Sequence, residues 1–194
     1  EYIFEGMKYE WQIHEISKFL RLMGKSNMNM FDWVFSDDWI VHPPEFMGIA
    51  LDDIRRMSME YISQTLVDHA FGWCKHMYHQ AWSNPKKVLH SIRPLMTCLI
   101  YIERSRYEPN IQILVKDPIL SMYEPLVIEL IDLKRKRLKT NLIVKTRSLD
   151  CYDELKEMIK ERRHKVPRKL DVQNKVKDLI TDIRLKTLKQ YQIL

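Results

Sequence analysis

Glycine is scarce, with four residues in a chain of 194. Folds built from many tight turns, such as all-β sandwiches and barrels, need glycine at the left-handed positions of those turns, so they are set aside. Cysteine is scarce too. Cys74, Cys98 and Cys151 are odd in number and none belongs to a Cys-x-x-Cys pair, which excludes a disulfide framework and a zinc ribbon and leaves three reduced thiols. No run of apolar residues approaches the ~20 that a membrane helix needs, and the opening residues lack the charged-then-apolar pattern of a secretory signal. The expected compartment is intracellular and cytoplasmic, with no membrane partner. The chain opens on Glu1, and "EYIFEGMKYEWQIHE" reads as the interior of a domain, so a fragment is expected.

What is present is rich in Leu, Ile, Lys, Arg, Glu and Met, all of which suit helices. With 45% hydrophobic residues the chain can bury a real core. The expected fold class is mostly α. Charge is placed unevenly: residues 121–194 hold 19 of the 32 Lys+Arg and 11 of the 26 Asp+Glu, a net of +8, which leaves 13 cations and 15 anions for residues 1–120. The basic C-terminal part is either a surface for RNA or another polyanion or a solvated helical face.

Periodicity places the elements. From Tyr9 to His14 apolar and polar residues alternate, the period of a half-buried strand. Ile16, Phe19, Leu20 and Met23 form one helical stripe, with Gly24 placed to end it in the left-handed conformation. Asn27 or Asn29 caps a short apolar helix through Phe35, and Pro43-Pro44 marks a loop. Residues 50–84 read as two helices meeting near Thr65. Asn84 caps the next helix and Pro85 fits its first turn. Further helices are expected over Met122–Leu138, Leu149–Arg163 and Val172–Tyr191, the last two separated by Pro167.

"KKVLHSIRPL" carries the most chemistry. On a helix, Lys86, His90 and Arg93 fall at i, i+4 and i+7 and share one face, with Lys87 beside it. A cationic face containing an arginine suits phosphate, and Pro94 removes a helical hydrogen bond and bends the axis. The competing reading is a solvated basic face on an amphipathic helix. His69, Cys74, His76 and His79 do not make a metal-ligand set at a recognised spacing and read as ordinary helical residues.

Three stretches in order, "EWQIHEISKFLRLMGKSNMNMFDWVFS", "KHMYHQAWSN" and "NPKKVLHSIRPLMTCLIYIERSRYEP", resemble the predicted nucleotidyltransferases of the DNA polymerase β superfamily, in its bacterial and phage branch with a helical C-terminal half. The resemblance covers roughly residues 9 to 138. It implies transfer of a nucleoside monophosphate from a nucleoside triphosphate, with Mg²⁺ or Mn²⁺. It also implies Glu10 as catalytic and metal-binding acid, and Lys86, Lys87, His90, Arg93 and Asn27 as nucleotide-binding residues, with Asp32 at the border of the cleft. Glu10 read by itself is equally an exposed strand glutamate. The family's Gly-Ser pair and Asp-x-Asp pair occur nowhere in this sequence, and Met28 stands where proline is usual.

The organisation expected is a remnant of the nucleotidyltransferase α/β sheet with its first helices over residues 1–40, a helical, bundle-like nucleotide-binding domain over 41–140, and basic amphipathic helices over 141–194. The function expected is nucleotidyl transfer by a chain inactive alone. The alternative is a non-catalytic helical module that binds RNA, another polyanion or a protein.

Overall fold

The computed structural model describes residues 2–4, 7–9, 16–36, 55–56, 58–78 and 83–168, with 172, 174–175, 177–178 and 181 beyond them. Among these the chain is mostly helical. Two short strands, β1 (Tyr2–Phe4) and β2 (Met7–Tyr9), pair antiparallel with Tyr2 opposite Tyr9. This hairpin has only two strands, and no nucleotidyltransferase sheet is found among the described residues. Of the alternating stretch Tyr9–His14, Tyr9 ends β2 and the rest lies outside those residues.

Helix α1 (Ile16–Gly24) forms where the stripe predicts one, but the left-handed residue after it is Ser26, at φ 49°, while Gly24 is still helical. The reason lies in its side chain. Buried Ser26 Oγ donates to the Tyr61 carbonyl at 3.3 Å and accepts from Ser63 N at 3.0 Å. Glycine would suit the backbone but leave buried polar groups unpaired. Helix α2 (Met28–Val34) is capped by Asn27, whose Oδ1 accepts from Asn29 N at 3.1 Å. At its other end Arg55 donates to the carbonyls of Val34 and Ser36 at 3.0 and 2.9 Å, placing a cation where a helix terminus favours one.

Helix α3 (Thr65–Tyr78) begins where the sequence marks a junction. Helix α4 (Pro85–Arg104) begins at the expected cap: Asn84 Oδ1 accepts from Lys86 N at 3.0 Å and Lys87 N at 3.4 Å. It continues through Pro94, and every residue from Pro94 to Ile100 is buried. A helix that is apolar all round must be wrapped by others. Helices α3, α6 (Glu124–Arg135) and α7 (Leu142–Arg162) do this.

The connector between α4 and α6 contains the one-turn helix α5 (Ile111–Leu114), capped by Asn110. Helix α7 starts at Leu142, well before the Leu149 that its apolar pattern indicates. Asn141 sets this start, its Oδ1 accepting from Val144 N at 2.9 Å. Leu142 and Ile143 stay 77% and 68% exposed, so the first turn adds little to the core stripe that the pattern follows.

The cysteines sit one each on α3, α4 and α7, all buried and free. Cys74 Sγ donates to the Ser91 carbonyl at 2.8 Å. Burial pushes the Cys74 pKa up to about 12 and raises those of Cys98 and Cys151 as well. These are inert core thiols.

Leu99, fully buried on α4, is expected to cost about 2–5 kcal/mol when replaced by alanine, whereas Leu142→Ala should change stability by less than about 0.5 kcal/mol. Urea unfolding midpoints of the two variants give the comparison.

Candidate anion-binding cleft

Helix α4 is wrapped along its C-terminal half and emerges toward its N-terminus, where its polar face meets a cleft of ≈ 340 Å³. From α4 come Lys86, His90 and Arg93. The last turn of α6 adds Lys134 and Arg135, the α5 segment adds Asn110 and Gln112, and Leu89, Ile111 and Ile131 supply apolar walls. The i, i+4, i+7 face thus lies in a concavity, with two more cations from a distant part of the chain. Lys87 is half-buried and does not line it. Asn27 lies elsewhere, in a second cleft of ≈ 470 Å³ with Asp32. Glu10 lies outside the described residues, as do the side chains of His76 and His79.

Arg93 is already engaged. Its Nη1 lies 2.7 Å from Asp32 Oδ2, with the two side chains 22% and 18% exposed, and it also donates to the Pro109 carbonyl at 3.3 Å. The Tyr107 hydroxyl donates to Asp32 Oδ1 at 2.7 Å and lies 3.1 Å from the Met28 carbonyl. Burial, and then the Asp32 carboxylate, push the Tyr107 pKa well above its ordinary value, so it remains a proton donor. Its ring packs between Phe31 and Phe35, each centroid 5.3 Å away.

The connector can reach this position because Ser105 reverses the chain at φ 50°. Buried Thr97 then holds the returning strand of chain, its Oγ1 donating to the Glu108 carbonyl at 2.9 Å. Residues 32, 93 and 107 meet through this return.

Two histidines border the cluster. Burial lowers the His90 pKa first, then the charges of Arg93, Lys86 and Lys134, with Asp32 acting in the opposite direction. His90 is therefore neutral at pH 7 and can donate or accept a hydrogen bond without adding repulsion. Burial likewise lowers the His69 pKa, again opposed by Asp32. His69 stacks with Trp73 at 6.5 Å, and its Nδ1 is buried without a partner.

Five cationic or imidazole side chains around one concavity are suited to phosphate oxygens. A family model for RlaP, the RNA repair pathway DNA polymerase beta family, matches residues 8–181. The chain belongs to that family. No curated protein and no solved structure matches it. Membership of the RNA repair pathway DNA polymerase beta family makes this a polymerase-beta-like nucleotidyltransferase relative. No helix among the described residues is long and apolar enough to cross a membrane.

Members of such a family imply a divalent metal, but the described residues do not fit one: no three His, Cys, Asp or Glu side chains among them gather to hold an ion. What the described part offers is a concave cluster of cationic side chains. The sequence gives no local sign of three of its features. Lys134 and Arg135 read as a basic helix end opening a polyanion surface over residues 134–169, Tyr107 as a connector residue, and Asp32 as a cap or cleft border. Their roles arise from contacts between residues far apart in the chain.

Arg93→Ala leaves a mostly buried carboxylate without its cation, and is expected to destabilise the fold by about 1–3 kcal/mol; Tyr107→Phe should cost a similar or smaller amount. Thermal or urea unfolding reads both. The His90 shift also has a defined sign. Its folded pKa lies below the unfolded 6.5, so the unfolded chain takes up the proton first. Stability is full above 6.5 and is lost as pH falls from that value toward the folded pKa. The fall in melting temperature between pH 7 and 5.5 should be shallower in His90→Gln than in wild type.

Proposed function

We propose that this chain carries the phosphate-holding part of a nucleotidyltransferase that transfers a nucleoside monophosphate from a nucleoside triphosphate to an acceptor hydroxyl or phosphate. The single observation that carries the reading is the convergence of Lys86, His90 and Arg93 with Lys134 and Arg135 around one cleft. In such a transfer the acceptor oxygen bonds to the α-phosphorus, and the bond from that phosphorus to the bridging oxygen breaks. Pyrophosphate carries away the negative charge. Cations fixed beside the β- and γ-phosphates lower the energy of that charge as it develops, and they need no rearrangement to do so. Lys86 and Lys134 are exposed and have no ion-pair partner in the described structure, so their charge is available to a ligand. Arg93 has to share its guanidinium between Asp32 and phosphate. Within this reading, Glu10 and Mg²⁺ or Mn²⁺ are the expected catalytic acid and cofactor, and Lys87 adds long-range charge.

A second reading, RNA or other polyanion binding, is favoured by the exposed Arg137 and Lys139, which follow Lys134 and Arg135 in the chain and do not line the cleft. Titration with tripolyphosphate in moderate salt tests the first. Lys86→Ala combined with Lys134→Ala should weaken binding about tenfold, equivalent to ~1.4 kcal/mol, at unchanged melting temperature. Unaltered affinity would remove the cleft from consideration. If instead Arg137→Ala with Lys139→Ala weakens binding of a single-stranded RNA that outcompetes tripolyphosphate, and that binding collapses steeply with salt, the second reading holds.

A further inference from the structure

The second cleft lies beside the first, a lining residue of each meeting in an ion pair. Arg93 lines the first and Asp32 the second, and their 2.7 Å ion pair links the two linings. The linings differ in kind. The first is strongly cationic. The second sets Lys18 against Asp32 and adds the amides of Asn27 and Asn29 and the indole of Trp33. Lys18 is its one cation, against the four of the first cleft, so it is the poorer place for a phosphate chain. At ≈ 470 Å³ it falls within the ~300–1,000 Å³ typical of small-molecule sites.

We infer that the second cleft receives the ribonucleoside part of the nucleotide whose phosphates occupy the first, an inference that rests on the phosphate reading of that cleft. Three groups carry it. Trp33 presents a half-buried indole, and an aromatic face is the general way for protein to hold a base. Asn29 is exposed and its side-chain amide has no hydrogen-bond partner in the described structure, so both its donor and acceptor are available to a base edge. Asp32 stands between the clefts, where the sugar of a ligand spanning them would lie. Each of its oxygens already accepts one hydrogen bond, from Tyr107 and from Arg93, and each retains a lone pair for a ribose hydroxyl. A carboxylate facing the sugar hydroxyls is a way to select ribose, because the 2′-deoxy analogue leaves it without a donor. Asp32 is on this reading a specificity-determining residue. Tyr107 and Arg93 are positioning residues that fix its carboxylate.

The order along the ligand is then phosphates at Lys86, Arg93 and Lys134, ribose at Asp32, and base at Trp33 and Asn29. The arrangement is testable because the clefts can be filled separately. Calorimetric titration of the full chain in metal-free buffer compares tripolyphosphate with ATP, CTP, GTP and UTP, and the best of these with its 2′-deoxy form. At least one ribonucleotide should bind about tenfold or more tightly than tripolyphosphate, and its 2′-deoxy form should lose a large part of that gain. Asn29→Ala, on an exposed side chain with no bond to break, and Trp33→Leu should each reduce the nucleotide's advantage while leaving tripolyphosphate affinity unchanged. If tripolyphosphate binds and no nucleotide binds more tightly, or if Asn29→Ala and Trp33→Leu both keep the full advantage, the second cleft is not a nucleoside site although the phosphate reading stands. If tripolyphosphate does not bind at all, the phosphate reading falls, and this inference with it.

Discussion

The burial of α4 governs the rest of the structure. From Pro94 to Ile100 it has no solvent-facing side, so α3, α6 and α7 must each turn an apolar stripe toward it. A ligand from solvent can then reach it only at positions outside that span. Lys86, His90 and Arg93 all precede Pro94, and the cleft lies where the wrapping ends. A proline inside a buried helix forfeits the N–H that would have bonded to the His90 carbonyl. The surrounding helices hold the axis in place regardless.

The second organising contact is the group Asp32, Arg93 and Tyr107. A carboxylate 18% exposed is stable only with its oxygens satisfied, and it has a guanidinium on one and a phenol on the other. The contact joins three regions: the short α2, the core helix and the returning connector. It thereby fixes the position of Arg93 and sets how much of its charge faces the cleft. A residue that reads as a ligand-binding cation from its helical spacing is in the fold both a structural partner and a wall of the site.

Much of this was legible in the residues, and what was not has a physical explanation. The caps at Asn27 and Asn84 and the shared face of Lys86, His90 and Arg93 depend on neighbours within one or two turns, so local rules find them. The mostly helical class follows from composition. Ser26 in place of Gly24, and Asp32 opposite Arg93, depend on partners far along the chain, and a single sequence holds no record of such pairings. The start of α7 was hidden for another reason: Leu142 and Ile143 are apolar without being core, so the hydrophobic stripe and the helix do not begin together. Glu10 drew its role from resemblance alone and lies outside the described residues.

The three buried thiols give the core an intrinsic reporter. Cys74, Cys98 and Cys151 stand on the wrapped helix and two of the helices around it, and each is protonated and shielded in the folded state. A thiol-specific label can reach them only when α3 or α7 separates from α4, so the order in which the three acquire label would trace the order in which the bundle comes apart. The chain thus carries, without any engineered probe, a record of which helix leaves first.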